Sequence, residues 1–229
     1  MLAAVFGWLM VASGLIERPW VNAYNLTIHL ILGISLLLAL FNAWIAEKGL
    51  TKIVIGHRLK IGLRLLFALV ILQVVLGGMV SGMKSALNYP TWPKMQKEWI
   101  PGILFEKSHW SVNDFLLYDH SGFMPALVQF LHRNMAYGIM LLVTIFSYQW
   151  IRKSGSNPYW VVYGLLGIIV VQVTLGILIL LNSIGSIPVF YGSAHQAIGI
   201  FALVFLFYLT EKQSIKLYNY LIIKLLYKK

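Results

Sequence analysis

Six long apolar stretches follow one another along this chain, separated by segments that hold charges, prolines or glycines. A helix needs about 20 mostly apolar residues to cross the hydrocarbon core of a bilayer. Of the 229 residues, 59% are hydrophobic and 11% are charged, whereas soluble domains are roughly half apolar and a quarter charged. The pattern therefore predicts an all-α integral membrane protein with six transmembrane helices. These helices are predicted at about 1–16, 24–46, 62–83, 126–150, 159–181 and 190–210.

Charge and cysteine content narrow the classes of function. The basic residues concentrate in the segments at 47–64, 151–158 and 211–229, which the six helices place on one side of the membrane. Cytoplasmic segments carry an excess of Lys and Arg, so both termini are predicted to be cytoplasmic. This topology accounts for the formal net charge of +11 without nucleic acid as a partner. The chain has no cysteine, which excludes disulfides, iron–sulfur clusters and thiolate-bound haem within it.

Three histidines lie five or six residues after the predicted start of a membrane helix: His29, His132 and His195. Ionisable side chains are costly inside a bilayer, so each is a candidate functional residue. Three histidines at one depth predict a layer of ligands for a buried cofactor, with haem iron as the first candidate. The alternative is a helix-end histidine that binds a carbonyl or interfacial water. The neighbouring Arg133 suits a haem propionate, or else extends to the interface.

The helices also form an internal repeat of pairs. The first member of each pair carries a glycine-containing motif, and two of them share the sequence Gln-Val-x-Leu-Gly, at 73–77 and 172–176. The second member opens with the histidine, and a glycine follows at Gly33, Gly138 or Gly199. Small residues at this spacing predict the close approach of a flat macrocycle or of a neighbouring helix.

The remaining histidines and the longest connecting segment lie outside the predicted helices. His57, His109 and His120 occur in connecting segments and are expected to be solvated. The segment 84–125 has about 40 residues, a length that is uncommon for a connection without a role of its own. It is expected to fold over the outer helix ends and to cover the cofactor.

Four stretches resemble the haem A synthase family in its alpha-proteobacterial and mitochondrial form. They read GWLMVASGLIERPWVNAYNLTIHLILG (7–33), GGMVSGMKSALNYPTWPKMQKEWIP (77–101), VQFLHRNMAYG (128–138) and TLGILILLNSIGSIPVFYGSAHQAIG (174–199). The resemblance implies a bacterial inner-membrane protein of haem A biosynthesis, an oxidoreductase that converts the C8 methyl of haem O to a formyl group for cytochrome oxidase. It implies that a haem O-producing farnesyltransferase supplies the substrate.

The resemblance also implies roles for residues and regions of this chain. His132 and His195 would bind the iron of a haem b, with Arg133 beside them. His29 would bind the iron of substrate haem O and product haem A. Four regions follow: 1–46 from the catalytic half, a cytoplasmic linker at 47–64, a haem b-binding four-helix half at 65–210, and a cytoplasmic amphipathic tail at 211–229.

The sequence departs from the family pattern at its start. The first two helices of the family, with the partner of His29 and a glutamate-containing motif, have no counterpart in it. An N-terminally truncated member is therefore expected, complemented by separate N-terminal helices or by a second copy. Two alternatives stay open at this point. The chain is a membrane b-type cytochrome with an incomplete catalytic site, or a non-haem membrane protein such as a small transporter that reuses the repeat.

Overall fold

Helices account for nearly all regular structure in the computed structural model, which describes residues 2–12, 20–48, 53–153, 159–211 and 213–214. The helices are α1 (Leu2–Ala12), α2 (Ala23–Lys48), α3 (His57–Gly82), the short α4 (Val112–Leu116), α5 (Phe123–Lys153), α6 (Trp160–Asn182) and α7 (Val189–Glu211). Three short 3-10 turns lie between α3 and α4, at Ser85–Leu87, Gly102–Phe105 and Lys107–His109. A two-residue strand before α3, Ile53–Val54, pairs in parallel with Gln213–Ser214 after α7.

Five of the described helices are long and apolar enough to cross a membrane: α2, α3, α5, α6 and α7. Large apolar side chains are exposed along them, as expected for surfaces that face lipid. The predicted all-α, multi-pass membrane architecture is confirmed. The first predicted helix is described only over Leu2–Ala12, and its residues 13–16 lie outside the described part of the chain. The same holds for residues 215–229 of the predicted tail.

Two predicted helix starts were placed too late. Helix α3 begins at His57 rather than 62, and α5 begins at Phe123 rather than 126. The first turn of α3 contains His57, Arg58 and Lys60, which a search for apolar stretches leaves out. A helix continues beyond the apolar core as long as its backbone hydrogen bonds do, so the end of the apolar stretch is not the end of the helix. Half of the predicted linker at 47–64 is therefore helical.

Helices α3, α5, α6 and α7 pack around one another as a four-helix bundle, in which α3 contacts α5 and α7, and α6 contacts the same two helices. Large buried side chains fill one end of this bundle. They include Leu63 and Leu66 of α3, Trp150 of α5, Val161 of α6 and Leu209 of α7. Bundles of this kind place facing side chains across a common core, where cofactor sites are built. The three histidines lie towards the other end of their helices.

Helix α2 crosses α3 at very short range, and small residues make this possible. A Cβ atom added to Gly82 would lie 2.6 Å from the Cα of Ala23, and one added to Gly78 would lie 2.9 Å from the Thr27 hydroxyl oxygen. Glycines four residues apart commonly line such close helix crossings in membranes. The α1–α2 pair therefore packs on the outside of the bundle, where α2 crosses α3 closely and also contacts α7.

The segment between α3 and α5 folds into a compact layer with its own apolar core. Tyr118 and Phe123 are fully buried in this core. The Tyr118 hydroxyl accepts a hydrogen bond of 2.8 Å from the Ala23 backbone N–H, and the Tyr24 hydroxyl donates to the Phe115 carbonyl. The layer thus joins the start of α2 to the start of α5, and these two helices carry His29 and His132.

Candidate functional site

His132 and His195 face each other inside the four-helix bundle. Their ring centroids lie 6.4 Å apart, and their ring planes differ by 64°. One histidine comes from α5 and the other from α7, at positions that the internal repeat makes equivalent. The structure therefore brings together two of the three histidines singled out in the sequence. His29 lies elsewhere, in the α1–α2 pair.

A glutamine from the preceding helix of each pair binds each of these histidines. The Gln73 amide nitrogen donates to the His132 carbonyl at 3.0 Å and lies 3.3 Å from its Nε2. Gln172 makes the same two contacts, of the same lengths, with His195. The histidine carbonyl can only accept a hydrogen bond, so the atom that faces it must be the amide nitrogen. The orientation of both amides is therefore fixed by chemistry.

The same network sets the tautomer of His195. Its Nδ1 lies 3.1 Å from the Gln172 carbonyl, which can only accept, so Nδ1 carries the proton. Nε2 then carries the lone pair, which the Gln172 amide approaches at 3.3 Å; this tautomer is the form of imidazole that binds a metal. Metal-bound histidines in proteins are usually oriented by such a bond from the other ring nitrogen to a carbonyl. Gln172 thus contacts His195 through both its backbone and its side chain.

A glycine lies against the imidazole of each of the three histidines. An added Cβ would lie 3.2 Å from the His132 ring at Gly77 and 3.3 Å from the His195 ring at Gly176. At Gly7 it would lie 3.1 Å from the His29 ring. These distances are tighter than ordinary side-chain contacts, so the missing Cβ creates the space for each ring. The sequence predicted that such glycines allow a neighbouring helix to approach closely. In the structure, the group that approaches each glycine is the histidine ring of the neighbouring helix.

The glycines that follow the histidines along the chain do not lie against a histidine ring. A Cβ at Gly199 would lie 3.0 Å from the Gln172 amide nitrogen, so this glycine makes room for the glutamine. A Cβ at Gly33 or Gly138 would meet no atom within 4 Å among the described residues. No neighbouring side chain or helix in the described part of the chain therefore requires a glycine at those two positions.

The geometry of the histidine pair fits an iron bound from both faces of a macrocycle. Two imidazoles that share one metal through bonds of about 2 Å place their ring centroids roughly 6 Å apart, close to the separation seen here. Haem iron takes such axial ligands from protein side chains. Around this pair, the Nδ1 of His132 and the Oε1 atoms of Gln73 and Gln172 are buried without a hydrogen-bond partner among the described residues. Unsatisfied buried polar atoms call for an explanation, and a functional site supplies one.

The Arg133 side chain forms hydrogen bonds to the backbone of the protein. It is only 8% exposed, and its guanidinium donates to the backbone carbonyls of Tyr89 at 2.9 Å and Lys94 at 3.3 Å. Gln129, one turn earlier on α5, donates to the same Tyr89 carbonyl. One turn later, the Tyr137 hydroxyl accepts from the Trp92 indole at 3.0 Å. These bonds hold the segment 88–97 against the first half of α5, next to His132. The proposed contact of Arg133 with a propionate stays a prediction.

His109 is not the solvated side chain that its loop position predicted. It is half-buried, stacks on Phe123, and its Nδ1 lies 3.1 Å from an Asp114 carboxylate oxygen. Hydrogen bonds from Ser121, Ser111 and His109 lower the pKa of Asp114 from its usual 3.8 to about 2. This carboxylate therefore stays charged, and it links Ser111, just before α4, to Ser121, which follows the helix. His57 and His120 are exposed, as expected.

The fold and this site define a multi-pass helical membrane protein with a histidine pair facing across a four-helix bundle. The profile of the cytochrome oxidase assembly protein family matches residues 1–207. The chain therefore belongs to this family, as the sequence motifs predicted.

Individual relatives agree with this assignment. Over 214 residues the chain is 35% identical to the heme A synthase of Brucella anthropi and 34% identical to those of Brucella ovis and Brucella abortus. The alignment covers 89% of this chain and 54–55% of those proteins. The chain thus spans about half the length of the curated relatives it matches.

Proposed function

We propose that the four-helix bundle holds one haem b, with His132 and His195 as the two axial ligands of its iron. The observation that carries this proposal is the 6.4 Å separation of the two imidazoles inside the bundle. Among the described residues there is no group of three or more His, Cys, Asp and Glu side chains arranged to hold a metal ion. Two protein ligands suffice for haem iron because the macrocycle supplies the other four.

The bound haem serves haem A biosynthesis in this proposal. The reaction is the oxidation of the C8 methyl of haem O to a formyl group, which gives haem A for cytochrome oxidase. His29, seated on Gly7 in the α1–α2 pair, binds the iron of the substrate. Conversion of the methyl to the formyl group takes its oxygen from water and releases four electrons and four protons. A haem b held by His132 and His195 would supply the one-electron chemistry that passes these electrons to an external acceptor. A haem O-producing farnesyltransferase supplies the substrate, and the protein lies in a bacterial inner membrane with both termini in the cytoplasm.

Residues of the chain have separate tasks in this scheme. Glycines 77 and 176 leave the space in which the ligand imidazoles lie. The segment 88–97, held by Arg133 and Gln129, keeps water from the outer end of the bundle. The guanidinium of Arg133 also offers positive charge to a haem propionate, because its Nε has no partner among the described residues.

A second candidate function is supported by the distribution of carboxylates. Within the described membrane helices the only acidic residues are Glu47 and Glu211, near the ends of α2 and α7. A site that removes protons from a methyl group needs a base within hydrogen-bond reach, and neither carboxylate is near a histidine in sequence. On this alternative the chain is a membrane b-type cytochrome without a complete catalytic site of its own.

Extraction of the bound haem distinguishes the two candidates. The chain is purified in detergent from cells that also make haem O, and its haem is identified by chromatography and mass. Haem B together with haem O or haem A supports the biosynthetic function, and His29→Ala should then remove haem O and haem A while haem B stays. Haem B alone, near one per chain, supports the cytochrome. Folded protein without any haem contradicts both.

A further inference from the structure

Gln73 and Gln172 form a matched pair that the proposed function leaves without a task. Each lies four residues before a glycine that seats a histidine ring, so the glutamine and the glycine share one face of the helix. Each amide contacts the histidine on the next helix of its pair at 3.0 Å and 3.3 Å. Identical contacts at two positions of an internal repeat indicate a built feature rather than an incidental contact.

The third pair of helices lacks this feature in its sequence. Four residues before Gly7 the chain has Ala3, whose side chain carries no hydrogen-bonding group. The glutamines therefore accompany the two histidines that face each other across the bundle and not His29. At the His195 site a second residue accommodates the glutamine, because the missing Cβ of Gly199 leaves room for the Gln172 amide.

We propose that Gln73 and Gln172 are positioning residues for the haem ligands: each holds the backbone and the ring of its histidine in the orientation that would bind the iron. This inference rests on the proposed haem site at His132 and His195. The amide bond to the histidine carbonyl fixes the ligand helix, and the second amide hydrogen approaches the Nε2 lone pair. A lone pair binds one partner at a time, so a metal replaces that second contact and leaves the carbonyl bond in place. The pre-oriented ring then loses less rotational freedom when it binds the metal.

The test compares Gln172→Met and Gln73→Met with the wild-type chain. Methionine is unbranched and fills similar space but donates no hydrogen bond. Gln149→Met is the matched control, because that half-buried glutamine lies at the opposite end of α5 from His132. Haem dissociation is measured by transfer to an excess of a haem-scavenging globin, and ligand orientation by electron paramagnetic resonance of the ferric protein.

Both glutamine variants should release haem about 10-fold faster or more, as is usual when a partner that orients a metal-bound histidine is removed. Their low-spin ferric signal should shift or broaden, whereas the Gln149→Met signal should match wild type. Unchanged or slower release with an unchanged signal overturns the proposal. Wild-type protein without haem overturns the proposed function instead. If Gln172→Met does not fold, Gln73→Met alone tests the proposal, because Gln73 makes the same side-chain contacts with His132 that Gln172 makes with His195.

Discussion

Gly176 lies directly against the imidazole of His195, so that a Cβ atom added there would be 3.3 Å from the ring Cε1. Gly77 has the same relationship to His132. The rings therefore occupy space that only a glycine leaves open. The positions of both candidate ligands depend on these two residues as much as on the histidines themselves.

Gly176→Ala should displace the His195 ring by a few tenths of an ångström and weaken haem binding. A misplaced ligand that is still present should lower the haem content of the purified chain about two- to ten-fold rather than abolish it. The haem-to-protein absorbance ratio measures the effect. Gly167→Ala on the same helix is the control, because its Cβ would meet no atom within 4 Å among the described residues. Equal haem content in the two variants would show that the glycine contact is unimportant.

Gly82→Ala should separate α2 from α3. The added Cβ would lie 2.6 Å from the Cα of Ala23, and a backbone atom cannot move aside as a flexible side chain can. Overpacking of this kind lowers the free energy of unfolding by about 1–3 kcal/mol, which a denaturant titration in detergent measures. Gly33→Ala, on α2, has no atom within 4 Å of the new Cβ among the described residues and should leave that free energy unchanged or raise it slightly. A stable Gly82→Ala protein would disprove the close crossing.

Arg133→Lys should release the segment 88–97 from α5. A lysine ammonium has no planar fork with which to bind the two carbonyls of Tyr89 and Lys94 together. Loss of a hydrogen bond from a charged group costs about 1.5–3 kcal/mol, so backbone amides in this segment should exchange with deuterium faster. Arg152→Lys is the matched control on the same helix, since that guanidinium contacts Tyr148. Unchanged exchange in Arg133→Lys would contradict the anchoring role.

The layer between α3 and α5 should loosen in acid. The pKa of Asp114 is about 2 in the folded chain against a usual 3.8, so its charged form stabilises the folded layer. That stabilisation is complete above about pH 4 and is lost as the pH falls towards 2. Proteolysis of residues 102–122 by an acid protease should therefore accelerate across this range. In Asp114→Asn the layer should be cleaved more readily than in wild type at about pH 4, and the difference should shrink towards pH 2, which gives the variant a weaker pH dependence. If the cleavage rates of wild type and Asp114→Asn depended equally on pH, titratable groups other than Asp114 would be responsible for the loosening in acid.

The sequence predicted the membrane helices well, because their positions depend on local properties, and the role of the candidate ligands stays a prediction. Apolar stretches of sufficient length specify spans, and a histidine within one is conspicuous. The predicted 24–46 and 159–181 differ from α2 and α6 by only one or two residues at each end. The family was also recognisable from its motifs.

Contacts between distant parts of the chain were harder to predict. Gln73 and Gln172 were visible as a shared motif, but only the packed helices show that they bind histidines 59 and 23 residues away. The bonds of Arg133 to carbonyls about 40 residues earlier depend on the path of an irregular segment. His109 was expected in solvent for the same reason, because nothing local places it between Asp114 and Phe123.

The most direct test of the proposed haem site is spectroscopy of the purified chain with each candidate ligand removed. Wild type should show a six-coordinate, low-spin haem b, and so should His120→Ala, whose side chain is exposed in the layer between α3 and α5. His132→Ala and His195→Ala should each lose the low-spin ferric signal and the reduced haem b absorption band. If His132→Ala keeps both signals unchanged, the facing imidazoles are not the iron ligands and the proposed haem site is wrong.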